Sequence, residues 1–568
     1  MGAEARVRRS SVTATRGRFV ADALAGVPGA SGSVPDGMAA SVLAGVNPIH
    51  GLYASAVGPI AGGVTAGTEL MVITTTSAAA LAAGSALTSL PAADRPSSLF
   101  LLTIVAGGLM GLAGVLRLAR LTRFVSHSVM MGFLTGVAFN IVFGQLADLT
   151  GVDASGSYAI SRAAYVVLHP SEIVLESLLV GLVAIAILVS LARTGLRMLS
   201  ALVALAIPTL AVALFAWDQV ATVSDVGAIP SGLPVPELPD LSAISFEIVV
   251  GAIAVAAIVL VQGAGVRESL PGRGASDPNR DFVAQGVANL ASGLFRGQPV
   301  GGSVGQSALN RSAGARSRWA SVFSGIWMIL ILVLFSGLVG RVPMPTLAGV
   351  LIVAAVGSLR PAEIATILGT GRTAQIALVT TFVATLILPV AAAVGVGVAL
   401  SLLLQLNREA LDLVVVELVP RPDGSLEEHP APTRLESERV VVLDAYGSLL
   451  YAGARTLLAR LPDPSGTRAP VVVLRVRGRT ALGATFFAVV SDYAARLGAV
   501  GGRLFLSGVG PDLLARMQGV GVLDGPQTIR AFEATPVIGA SSRRAYDEAG
   551  TWLIAHRAEP RDEQGATR

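Results

Sequence analysis

The chain has 568 residues, of which 53% are hydrophobic and 14% charged, and its mean hydropathy is +0.69. Ordinary soluble chains are about one quarter charged, so much of this one does not face water, and neither a purely soluble enzyme nor a disordered chain fits. The absence of cysteine removes disulfides, thiolate catalysis and Cys-based zinc or iron–sulfur sites. The five histidines (His50, His127, His169, His429 and His556) are scattered without metal-ligand spacing, and a net charge of +4 is too small to argue for a nucleic-acid partner.

Charge divides the chain. Residues 1–18 are basic, with Arg6, Arg8, Arg9, Arg16 and Arg18, and read as a cytosolic tail. Residues 19–407 are dominated by apolar runs and read as a transmembrane domain. Residues 408–438 read as a charged linker, and 439–568 as a cytosolic domain with its C-terminal tail. Regular spans are expected at 48–66, 99–117, 128–147, 172–192, 197–217, 247–266, 319–340, 373–389 and 391–406. Less regular ones fall at 20–44, 70–90, 281–296, 300–314 and 345–358, for about 14 in all.

The connections at Arg117/Arg120/Arg123, Arg193/Arg197, Arg267/Arg273/Arg280, Arg311/Arg316/Arg318 and Arg360/Arg372 then share one side with the basic start. The long opposite loop, Trp217 to Phe246, carries Asp218, Asp225, Glu237 and Asp240 and no Arg. Positive-inside bias puts both termini in the cytosol of a multi-pass plasma-membrane protein.

Two irregular segments share a grammar. Glu69–Gly84 runs from a short β-branched stretch into hydroxyl residues and then an Ala-rich helix. Pro299–Gly314 runs from a Gly-rich stretch through a Ser/Gln cluster into a helix. Each reads as a half-helix that starts at membrane depth, where irregular backbone survives only inside protein or along a cavity. A helix N-terminus offers free N–H groups and a positive dipole end to an anion. As third and tenth spans they occupy corresponding places in two halves, which points to an inverted repeat with a midplane site. Close packing of small residues accounts for Ala78–Ala83, but not for the adjoining Thr74–Ser77 and Gly301–Ser307.

The Pro299–Gly314 stretch, with Gly302-Ser303, Ser307–Asn310 and Gly314–Arg316, resembles the tenth span of the SulP anion transporters, the sulfate permease and solute carrier 26 group. Asp277–Gly286 resembles the loop after the eighth span, Pro35–Ala39, Leu43–Pro48 and Gly51–Ser55 the first two spans, and Gly132–Gly136 the fifth. The resemblance implies a polytopic α-helical protein of seven-plus-seven inverted-repeat spans, a core domain moving against a gate domain, and a homodimer. The tail strands Val440–Asp444, Val471–Val476 and Arg503–Val509, with helices at Ala484–Leu497 and Pro511–Met517, resemble the α/β STAS domain that follows SulP membrane domains. Phosphorylated STAS proteins carry Asp-Ser after the central strand; Gly483-Ala484 stands here and has no hydroxyl.

The site departs from the family pattern. Gln262 stands where many relatives have an eighth-span carboxylate, Gln306 where many have Arg, and Ile73-Thr74 where Gly-Pro is common. Asp36 follows Pro35 in the first span, where relatives commonly have Gln. An intramembrane carboxylate is a functional candidate by default. Asp36 is read as coupling transport to a proton, or to Na⁺ held with Thr and Ser oxygens, against the alternatives of a helix cap and of simple cavity lining. No other metal and no cofactor is expected.

The expected function is secondary-active transport of a small anion of the sulfate, bicarbonate or dicarboxylate class, with H⁺ or Na⁺ as symported partner and no enzymatic step. Thr74, Thr75, Thr76 and Ser77 would line one side of the site, and Gly302, Ser303, Val304, Gly305, Gln306 and Ser307 the other, with Gln262 completing it. An uncoupled channel-like conductor or exchanger, or a nucleobase transporter of the same fold, is the alternative.

Overall fold

The computed structural model describes residues 3–120, 126–154, 158–195, 199–226, 235–269, 277–421, 425–449, 452–479, 482–523 and 529–557. Arg123, Arg197 and Arg273 of the topology argument lie outside them, as do the last residues of the tail. The chain separates into two compact units, Met1–Ser401 and Leu402–Arg568.

The first unit is helical. It begins with α1 (Ala3–Leu43), α2 (Ile49–Thr65), β1 (Ile73–Thr75), α3 (Ser77–Leu87), α4 (Arg95–Val115) and α5 (His127–Thr150). It continues through α6 (Ala159–Leu168), α7 (Leu175–Ala192), α8 (Ser200–Phe215), the single turn α9 (Val223–Val226), α10 (Phe246–Ser269) and α11 (Pro278–Leu294). It ends with β2 (Val300–Gly302), α12 (Val304–Ser312), α13 (Trp319–Val339), α14 (Met344–Ser358), α15 (Pro361–Thr370), α16 (Arg372–Ile387) and α17 (Val390–Leu411), the last of which crosses the boundary. The short helices α6 and α15 were not expected from the hydropathy.

By length and composition, α4, α5, α7 and residues 246–267 of α10 can each cross a membrane, and α14 with α15 forms a bent pair that can do so together. The surface is that of a membrane protein: Leu112, Leu182, Ile207, Leu214, Ile253, Leu334 and Leu403 point outward, exposed. Inside, small residues bring helices together. A methyl on Gly286 of α11 would lie 2.5 Å from the Gly111 nitrogen of α4, and one on Gly51 of α2 would collide with the Gly37 carbonyl of α1. Only glycine permits these two crossings. Local stops and starts follow the side chains. Ser126 accepts from Val129 N–H to cap α5, and Gly151 ends that helix at φ +71.

The second unit contains β3 (Val414–Pro420), β4 (Leu426–Pro430), β5 (Val440–Tyr446), α18 (Ala452–Arg460), β6 (Val471–Arg475), α19 (Ala484–Ala499), β7 (Arg503–Val509), α20 (Pro511–Gly519), β8 (Arg530–Glu533) and α21 (Ala540–Arg557). They form one sheet in the order β4-β3-β5-β6-β7-β8. Neighbours from β5 to β8 pair in parallel, whereas β3 runs antiparallel to β4 and β5. Alternation sorts the central strands between two cores. Leu443, Leu474 and Leu506 join Leu457, Phe486 and Tyr493 on one face, while Val442, Val473 and Phe505 join Ala545, Ala549 and Leu553 on the other. The stretch 408–438, expected as a linker, therefore carries two strands. Its edge strand β4 presents Glu427, Glu428 and His429, and charge on an edge blocks further pairing. The same charge makes the segment read as solvent-facing chain.

Candidate functional site

The two irregular segments meet. β1 and β2 pair antiparallel, Ile73 with Gly302, Thr74 with Gly301 and Thr75 with Val300. The ladder continues past the strand ends, where Ser303 N–H donates to the Val72 carbonyl at 2.9 Å. α3 and α12 leave the pair in opposite directions, so both helix N-termini abut the crossing. Thr76 caps α3 by accepting from Ala79 N–H, and Ser303 caps α12 by accepting from Gln306 N–H. Those caps leave the N–H groups of Ser77 and Ala78 on α3, and of Val304 and Gly305 on α12, without partners among the described residues. Each terminus carries a partial charge of roughly +0.5.

The glycines of β2 are dictated by α10. A methyl on Gly301 would lie 3.1 Å from Val259 Cγ1, and one on Gly302 3.1 Å from the Gly263 Cα. Gly305, by contrast, faces open space.

Each helix end receives one polar side chain from the other half of the chain. Gln306 Nε2 of α12 donates to Asp36 Oδ2 of α1 at 2.9 Å. Thr76 Oγ1 at the start of α3 donates to Gln262 Oε1 of α10 at 3.3 Å. Asp36, Thr76, Ser77, Gln262 and Ser303 are part-exposed, and Val304 and Gly305 are exposed. α1 runs unbroken through Pro28 and Pro35, so Asp36 does not stand at a helix start.

Other expected residues are turned into the scaffold. Ser307 is buried and its Oγ accepts from Val72 N–H at 3.0 Å. Thr75 is buried and shares a hydrogen bond with Ser55 at 3.1 Å. Thr74 is buried, with no hydrogen-bond partner for its hydroxyl among the described residues.

The supports were missed in the sequence. Asp281, Gln285 and Asn289 are all buried on α11. Asn289 donates to the Val300 carbonyl at 2.7 Å and accepts from its N–H at 2.9 Å, and Gln285 accepts from Gly302 N–H at 3.3 Å. Asp281 accepts from Gly67 and Thr68 N–H, each at 2.8 Å, and from the Thr68 hydroxyl at 2.6 Å. Their spacing of four residues is a signal: it puts three polar groups on one face of an Ala- and Gly-rich helix. Asp22 does for the other segment what Asp281 does for the first. It accepts from Arg316 N–H at 2.7 Å, from Ser317 N–H at 3.2 Å and from the Ser317 hydroxyl.

A helical membrane unit holding two broken segments crossed at their strands, with capped and open helix ends at the crossing, defines a transporter rather than an enzyme. Residues 19–385 match the sulfate permease family, and the chain belongs to it. Among its relatives, the putative sulfate transporter YbaR of Bacillus subtilis is 30% identical over 60% of this chain and 67% of its own length. The probable sulfate transporter Rv1739c of Mycobacterium tuberculosis is 28% identical over 77% of this chain and 80% of its own. The fold is similar to that of murine solute carrier 26 member A9, an anion transporter solved in an inward-facing state. That match has a TM-score of 0.80 at 18% identity and covers 94% of this chain and 91% of the other. The transmembrane domain of the cyanobacterial bicarbonate transporter BicA matches with a TM-score of 0.60 at 21% identity, over 66% of this chain and 98% of its own.

Proposed function

We propose that the protein is a secondary-active transporter of a small anion of the sulfate, bicarbonate or dicarboxylate class, coupled to H⁺ or Na⁺. The observation that carries this reading is the pair of capped helix N-termini held against one antiparallel crossing, each with two N–H groups free. The anion binds between them. Thr76, Ser77, Ser303, Val304, Gly305 and Gln306 meet it from the two half-helices, with Thr74, Thr75, Gly302 and Ser307 forming the frame behind. Gln262 completes the recess and Asp36 is the coupling group. Backbone N–H donors do most of the binding, because no cation stands at Gln306. That suits a carrier, whose binding must be loose enough to release.

The proposal includes 14 spans in two inverted sets of seven, with both termini cytosolic in the plasma membrane. It also includes a core domain carrying the site past a gate domain, a homodimer and a STAS-like tail. The names of the relatives, sulfate transporters among them, support the anion class.

The test is uptake of labelled sulfate, bicarbonate and fumarate into proteoliposomes, with pH and Na⁺ gradients imposed separately. Wild type accumulates one of them against its gradient under one of the two driving ions. Asp36→Asn loses that accumulation while downhill exchange continues. Unchanged accumulation in Asp36→Asn removes the coupling role, and no uptake of any anion removes the substrate class.

A further inference from the structure

We infer that the Asp36 carboxylate is a built-in competitor of the transported anion: ionised, it holds the open end of α12 through Gln306, and the anion binds there only once Asp36 has taken up a proton. The inference rests on the anion-transport reading above and adds to it the order and identity of the coupling step.

The geometry is specific. Gln306 is the third residue of α12, and its side chain returns to the same helix end whose Val304 and Gly305 N–H groups are free. Its Nε2–H donates to Asp36 Oδ2 at 2.9 Å. The negative charge nearest this positive helix end therefore belongs to the protein. An incoming anion meets a carboxylate already there, and two like charges this close repel. A proton on Asp36 removes that charge. Gln306 Nε2–H loses its charged acceptor and becomes a donor for the substrate. One proton bound thereby accompanies one anion bound.

The α3 end supplies the contrast. There the corresponding contact is made by the neutral amide of Gln262, which accepts from Thr76 at 3.3 Å. One helix end is thus permanently ready for an anion, and the other is ready only when a single carboxyl is neutral.

The neighbourhood leaves Asp36 as the group that titrates. The elements packed against α1 are α2, α3, α8, α12, α13, α14 and β1. Their titratable side chains are His50 and Tyr53 on α2 and Arg311 on α12. His50 Nδ1 is bonded to the Arg296 carbonyl at 2.8 Å, and Arg311 is exposed in the last turn of α12. On α1 itself Asp22 is engaged by Arg316 and Ser317, roughly 20 Å along the helix from Asp36.

The experiment is equilibrium binding of radiolabelled sulfate to full-length protein in lipid nanodiscs between pH 5 and 9, with and without Na⁺. Sulfate keeps its charge across this range. Wild-type affinity is expected to fall about tenfold per pH unit on the alkaline side of the titration, as binding linked to one proton requires. Asp36→Asn is expected to bind with little pH dependence and, at pH 8.5, at least tenfold tighter than wild type. Asp36→Glu should restore the slope. Thermal unfolding of each variant establishes that it is folded. pH-independent binding by wild type, or a slope retained in Asp36→Asn, overturns the competition and leaves the transport reading standing. Affinity that follows Na⁺ rather than pH overturns it in favour of a cation. No binding by any of the three proteins overturns it together with sulfate as substrate.

Discussion

Replacing Asn289 by Ala should damage the site from behind without touching the anion. Asn289 is fully buried, and its amide satisfies both the N–H and the carbonyl of Val300 at 2.9 and 2.7 Å. Alanine removes both partners and leaves no room for water except the volume of the lost amide. Each buried backbone group without a partner costs about 1–3 kcal/mol, so the pair sets a loss of roughly 2–6 kcal/mol. Part of that loss lowers global stability, and part is spent in a displaced β2, which moves the α12 end. Every 1.4 kcal/mol that reaches the site weakens anion binding about tenfold. The assays are thermal unfolding in lipid nanodiscs and the substrate concentration dependence of uptake. The expected result is a melting temperature lower by several degrees together with a raised KM. An Asn289→Ala protein with wild-type melting and wild-type KM would refute the argument that α11 fixes the height of β2.

Ser303→Leu should abolish uptake in correctly inserted protein, since the side chain covers the α12 donors, whereas Ser303→Thr keeps a capping hydroxyl and should retain it; uptake normalised to membrane-inserted protein checks both. Ser303→Ala loses only the cap, and a denaturation series should place its cost near ~1 kcal/mol. Gly51→Ala forces α1 and α2 apart at the Gly37 carbonyl and should lower yield and melting temperature by fluorescence-detected size exclusion, more than Gly108→Ala, where a methyl meets nothing within 4 Å. A truncation after Asp412 should keep sulfate binding but impair turnover or dimer stability. One after Glu438 should aggregate more, because it strands β3 and β4 without β5; light scattering and labelled-sulfate binding separate the two.

The broken segments were legible because their chemistry conflicts with their setting: Thr74–Ser77 and Gly301–Ser307 are polar or glycine-rich where lipid would favour Leu. That reading placed Thr76 and Ser303 at the helix starts as site residues, and their capping role came only with the structure. What hydropathy did not give was the division of labour inside each cluster. Thr75 sits one residue from part-exposed Thr76 and Ser307 one residue from exposed Ala308, yet their hydroxyls are fastened to Ser55 and to Val72 N–H. Which side chain faces the recess depends on the β1–β2 register, and that register is fixed by partners more than 200 residues away. The α11 supports had a readable period, but a helix with Asp, Gln and Asn on one face shows no target until β2 is laid beside it. β4 was hidden for the opposite reason, since a charged edge strand looks unlike a core, whereas β3, with Val415, Val416 and Leu418 buried, carried an apolar run that was missed.

The crossing of β1 and β2 is bolted on all sides: by Asn289 and Gln285 along one edge, by Asp281 on the chain entering β1, and by Asp22 on the chain leaving α12. Such a joint resists opening, so in the proposed transport motion the two helix ends would keep their spacing while the surrounding helices shift. The recess then behaves as a rigid cradle rather than as jaws. On the proposed reading, its intrinsic preference among anions would be the same whichever face of the membrane it opens to, and any sidedness in apparent affinity would reflect how often it is open there. A blocker shaped to the cradle would fit from either side, and only its route of entry would decide where it acts.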